Sequence, residues 1–162
     1  MSTPLDHELR WLSVTPGLAS AAFGPLAISV WTSAPTLEHA STAATLLASL
    51  GKVQPKLLVL AVLGPNTPPP DGAVREILAH QLTRLGAQIA AVANVVEGQG
   101  FRAATMRAVL TGMVLVIRPT YPQRACATIE EAAGFLAERS DTRLDAPGIV
   151  RAVQKLRGST ER

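Results

Sequence analysis

The stretch Leu57-Leu-Val-Leu-Ala-Val-Leu63, followed by Gly64-Pro-Asn-Thr-Pro-Pro-Pro-Asp-Gly72 and Ala73-Val-Arg-Glu-Ile-Leu78, decides the fold class. Its first part is a continuous apolar run with no polar alternation. A strand of that kind is covered on both faces, as a central strand of a parallel or mixed sheet is. The prolines at 68–70 stop regular structure, and Asp71 is a suitable N-cap for a following helix. In open α/β sheets, the loop leaving the carboxyl end of a strand is where function concentrates. The segment therefore sets an architecture and points to one rim of it.

Working outward, residues 9–14 alternate as a half-buried strand, and Pro16-Gly17 is a turn signal. Residues 25–31 form a second strand that pairs with the first in a hairpin-like start. Ala40, Ala43, Ala44, Leu47 and Leu50 give the inner stripe of a first helix. The second helix places Val74, Ile77, Leu78, Gln81, Leu82 and Leu85 on one side. Residues 89–96 are a further buried strand, with Asn94 its only polar residue. Gly98-Gln-Gly100 turns into a third helix from 101 to about 115, striped by Met106, Val109, Leu110 and Met113. A short edge strand follows at 124–127. Thr128-Ile-Glu-Glu131 matches a capping box opening a fourth helix that ends near Arg139. Pro147 suits the first turn of a last helix, with Ile149, Val150, Val153 and Leu156 on one face. Right-handed crossovers between parallel strands then lead to an α/β fold: a mixed sheet of four to five strands with helices packed on it. The expected organisation is one domain over 1–142 and a basic C-terminal helix or tail over 143–162.

Of 162 residues, 48% are hydrophobic and 17% charged, which excludes a disordered chain. So sparsely charged a surface favours a partner or a second copy. Residues 1–142 balance ten basic against ten acidic side chains, so the net +3 comes from Arg143, Arg151, Lys155, Arg157 and Arg162 against Asp145 and Glu161. Arg102, Arg107, Arg118 and Arg124 fall in a second window without acids. Neither region is a dense basic block with interleaved aromatics, which argues against nucleic acid. The longest membrane candidate, 109–117, is interrupted by Thr111 and Gly112. The N-terminus has neither a basic nor an apolar secretory region. A single cysteine, Cys126, suits a reducing compartment. The expectation is a cytoplasmic protein without a membrane partner.

Gly98-Gln-Gly-Phe-Arg-Ala103 satisfies G-x-G-x-x-A between a strand and a helix. Dinucleotide binding, a generic anion site helped by Arg102, and a tight turn are the three readings. The late position in the chain, Arg118-Pro119 where a ribose-binding acid belongs, and Glu97 beside the phosphate position all oppose the first. His7, His39 and His80 lack ligand spacing, so no metal is expected. Glu130-Glu131 reads as capping rather than as a catalytic pair, and no nucleophile elbow occurs. Cys126 reads as a buried small hydrophobe. Phe101, Met106 and Met113 read either as core or as an adaptable partner surface. Trp11 and Trp31 on the opening strands either stack or leave one ring at an edge.

The element order, the buried strand ending at Leu63-Gly64, the Asp71-Gly72 helix start and Thr128-Ile-Glu-Glu-Ala132 together resemble the STAS fold of anti-sigma-factor antagonists, over roughly residues 8–140. The resemblance implies a bacterial regulatory scaffold that works by protein contact. Regulatory members carry a phosphorylatable serine or threonine at the start of the second helix. Here that stretch is Asp71-Gly72-Ala73, without a hydroxyl, so the switch does not carry over. The expected function is a non-enzymatic interaction domain without cofactor or catalytic residues, engaging a protein partner or a second copy. Asn66, Thr67, Asp71, Gly98, Gly100 and Arg102 are its candidate contacts. The alternative is binding of a small anion or nucleotide at these same strand–helix loops.

Overall fold

In the computed structural model the chain is an α/β protein built on one six-stranded mixed sheet. The structure describes residues 8–117, 119–141 and 144–160, apart from the side chains of 113–117. His7, the Met113 side chain, Arg118, Arg143, Glu161 and Arg162 lie outside the described residues.

The strands are β1 (Leu9–Thr15), β2 (Leu18–Phe23), β3 (Leu26–Trp31), β4 (Leu57–Leu63), β5 (Ile89–Val96) and β6 (Gln123–Cys126). Their order in the sheet is their order in the chain. The first three are antiparallel neighbours, and β3 to β6 run parallel. Helices α1 (Leu37–Val53), α2 (Gly72–Arg84) and α3 (Phe101–Ile117) connect the parallel strands, and α4 (Ile129–Ala137) and α5 (Ala146–Gly158) close the chain.

Four to five strands were expected, and the described residues form six. The additional strand is β2, Leu-Ala-Ser-Ala-Ala-Phe, which is buried along its whole length. It shows no polar alternation because both its faces are covered, and alanine carries little β preference. Two tight turns frame it. Pro16-Gly17 has Gly17 at φ 95°, and Gly24-Pro25 has Gly24 at φ 57°. Both need a residue free to adopt positive φ. β2 also separates β1 from β3, so the two opening strands of the sequence reading do not pair directly. Trp31 is buried, whereas Trp11 stands exposed on the edge strand. Trp11 has φ 55° at a bulge between Arg10 and Ser13. An edge strand with such an irregularity is a poor template for another strand.

The two faces of the sheet are covered differently. On one, Leu26, Ile28, Val30, Leu58, Leu60 and Val62 meet the buried stripes of α4 and α5. Of the expected apolar face of the last helix, Ile149, Val153 and Leu156 are buried and Val150 only partly so, with Ala152 buried beside them. α5 packs on β2 and β3, and α4 on β4 to β6. On the other face, α1 lies against β2 and β3, and α2 packs on α1. Ala22, Ala27, Leu47, Leu50 and Leu57 form a smaller core there.

The helix caps follow local chemistry. Thr36, Asp71, Thr128 and Asp145 each accept a bond from a first-turn amide. The capping box expected at α4 is formed in part: Glu131 N–H donates to Thr128 Oγ1 at 3.1 Å, but Glu131 Oε2 reaches one residue further back and accepts from Ala127 N–H at 3.3 Å. The expected stripe on α3 is only partly inward, since Val109 is exposed. Among the described residues, no helix is long and apolar enough to cross a membrane.

Candidate functional site

The carboxyl ends of β3, β4 and β5 share one rim, and the loops leaving them are tied together. The Trp31 carbonyl accepts from Gly64 N–H at 2.9 Å and from the Thr67 hydroxyl at 2.9 Å. Thr67 is only 6% exposed, so the proline-rich loop folds back over the end of β3. Thr67 N–H donates to the Gly64 carbonyl at 3.0 Å, closing a turn around Pro65 and Asn66. Asp71 Oδ1 accepts from Val74 N–H at 2.9 Å and starts α2. Of the candidate contacts in this loop, Asn66 faces solvent, Thr67 holds the loop from inside and Asp71 caps the helix.

The loop after β5 lies against the loop after β4. Glu97 N–H donates to the Leu63 carbonyl at 3.0 Å. Gly98 has φ 103°, and a Cβ there would stand 3.3 Å from Pro65 Cβ. Gly98 and Pro65 thus bring the two candidate segments into contact. Gly100, at φ 95°, directs the chain into α3, whose first residue, Phe101, is 88% exposed. Arg102 is also exposed. Phe101 is therefore a surface ring and not part of the core.

Two arginines fasten this loop. Arg107 donates to the Val96 carbonyl at 2.8 Å. Arg157, near the end of α5, grips the Glu97 carboxylate with both terminal nitrogens, one of them at 3.1 Å. Such a bidentate pair fixes orientation as well as charge. Sixty residues separate its members, so no sequence spacing announces it. It also keeps a carboxylate at the glycine turn, which opposes phosphate binding there.

The third loop joins the same rim. Thr32 N–H donates to the Gly17 carbonyl at 2.9 Å, and the His39 ring packs edge-on to Trp31, centroids 6.2 Å apart. A Cβ on Gly17 would meet Ser33 Oγ and His39 Cε1, so this turn accepts only glycine.

Cys126 is buried at the end of β6. Burial, and then the neighbouring Glu131 carboxylate, push its thiol up to about 11, with Arg124 pulling the other way. Burial likewise raises the Tyr121 phenol. At pH 8 the native thiolate is expected to be about 100-fold scarcer than in the unfolded chain, so iodoacetamide labels the native protein correspondingly slowly. The folded state holds this proton more tightly than the unfolded one. The contribution of Cys126 to stability is therefore intact below about pH 9 and lost as pH rises toward about 11. A Cys126→Ala variant is expected to flatten that part of a pH–stability curve. An equal fall in both proteins would assign it to other groups.

Among the described residues, no three histidine, cysteine, aspartate or glutamate side chains are grouped to hold a metal ion. Comparison with known proteins finds no matching family model, no similar curated protein and no solved structure of matching fold.

Proposed function

We propose that this chain is a non-enzymatic, STAS-like interaction module whose docking face is the rim formed by the loops after β4 and β5. The observation that carries the reading is Phe101, a large aromatic ring held in solvent on a rigid support. Exposed aromatics of this kind anchor protein interfaces when a partner covers them. The support is preorganised: Thr67, Asp71, Glu97, Arg107 and Arg157 all hold the loops in place. Because these side chains have structural partners, the arrangement favours contact over chemistry. The sequential β-α order supports the STAS-like assignment, and a buried thiol suits a reducing cytoplasm.

The charge beside Phe101 is positive. Arg102, next to it in the chain, is exposed and in no ion pair among the described residues, whereas on α2 Arg75 and Glu76 are both exposed, Asp71 caps the helix and Glu97 is held by Arg157. The fitting partner is a protein surface with an apolar pocket bordered by carboxylates.

A photo-crosslinking residue at position 101 is expected to capture one partner that the same residue at the exposed position 53 does not. Phe101→Asp is expected to weaken binding of that partner by roughly 30-fold or more, about 2 kcal/mol. Its melting temperature stays that of the native chain, because the ring makes little of the core. Added salt weakens the native complex. Equal capture at both positions, or an unchanged affinity in Phe101→Asp, would remove the rim as the docking face.

A further inference from the structure

The sheet face under α1 and α2 is built around a transverse row of small and polar residues. Ser13 pairs with Ser20, Ser20 with Ser29, Ser29 with Ala61, and Ala61 with Asn94. All of them point to the helical side, whereas their strand neighbours Ile28, Leu60 and Val62 fill the opposite core. Where the row passes under the helices, Ala43 and Ala44 face it from α1, and Leu78, Gln81 and Leu82 from α2. Alanine above and alanine or serine below leave a cavity of about 150 Å³.

We propose that this cavity binds a small neutral molecule that is mostly apolar and carries one hydrogen-bonding group. Its volume is that of cavities that take up a single aromatic ring. None of its fifteen lining residues is ionisable, so a charged ligand would lose water without gaining a partner. The polar groups are few and lie in one row across the floor. Asn94 is the one polar residue of β5, and its amide is engaged by no described side chain. Ser29 Oγ accepts from Trp31 Nε1 at 3.0 Å, which leaves its hydroxyl hydrogen to donate. Asn94 both donates and accepts, so a carboxamide or alcohol head is complemented at the floor while the body of the ligand meets Leu47, Val59 and Leu82.

Titration of the full chain with benzamide, toluene and benzoate, followed by NMR, tests this. Benzamide is expected to shift the Asn94 side-chain amide resonances, to saturate, and to give ring contacts with the Leu47 and Val59 methyls. Benzoate is expected to bind at least tenfold more weakly, as desolvation of its charge requires. Asn94→Leu removes the preference for benzamide over toluene, a change of about tenfold for one lost hydrogen bond. Ala61→Leu fills the space and abolishes binding of both. Benzamide shifts that bypass Asn94, fail to saturate or persist in Ala61→Leu would overturn the proposal, as would benzoate binding equal to benzamide. The titration of the native chain decides the matter even if a variant fails to fold.

Discussion

Leu156→Asp is expected to leave the chain without a cooperative thermal transition, whereas Lys155→Gln, one residue away, keeps the native melting temperature. Leu156 is 0% exposed and belongs to the core that α5 forms with β2 and β3. Lys155 faces solvent on the same helix. A carboxylate at position 156 loses its water without gaining a cation, and such substitutions cost about 5 kcal/mol or more. That equals the lower end of the whole stability of an ordinary domain. Circular dichroism melts of the two variants separate a structural last helix from a solvated basic tail. A normal melt for Leu156→Asp would show that α5 contributes little to the fold.

The second large effect contrasts two neighbours on β4. Leu60→Ala is expected to cost about 2–5 kcal/mol, the range for removing a fully buried leucine from a packed layer. Leu60 is 0% exposed between the central strands and α4. Ala61→Leu adds the same atoms that Leu60→Ala deletes, yet it points to the other face, into the cavity under α1 and α2. Overpacking a full core costs typically 1–3 kcal/mol. Here the space exists, so the change is expected to be within about 0.5 kcal/mol of neutral, or stabilising. Urea unfolding measures both. A loss for Ala61→Leu as large as that for Leu60→Ala would mean that the helical face is already closed.

The local signals in the sequence were strong where one residue type does one job. Asp71 and Thr128 mark helix starts by their own chemistry and cap α2 and α4, and Pro147 sits in the first turn of α5. The run from Leu57 to Leu63 is a central strand, buried at Leu58, Leu60 and Val62 on the α4–α5 face and half-buried at Val59, Ala61 and Leu63 on the other. β2 was illegible because an alanine-rich strand buried on both sides carries neither alternation nor β-branched residues. Its trace was the spacing of Pro16-Gly17 and Gly24-Pro25, two turns one short strand apart. The candidate site divides in the same way. That functional loops leave the ends of β4 and β5 follows from the order of elements. That Thr67 turns inward, that Gly98 rests on Pro65 and that Arg157 holds Glu97 depends on chain segments meeting. Asn94 stood out as polar in an apolar strand, but its alignment with Ala61 and Ser29 is a matter of register across three strands.

The strand order has a consequence for how the protein is made. Each strand pairs only with its neighbours in the chain, so the sheet can be laid down strand by strand as the polypeptide leaves the ribosome. The covering of its second face cannot keep pace. α5 comes last and returns to β2 and β3, near the beginning of the chain. Until residues 146–158 emerge, the apolar side chains of the first strands stay open to water. A ribosome stalled before that point therefore carries a nearly complete sheet with a greasy face, the kind of intermediate that chaperones bind and that aggregates when they do not.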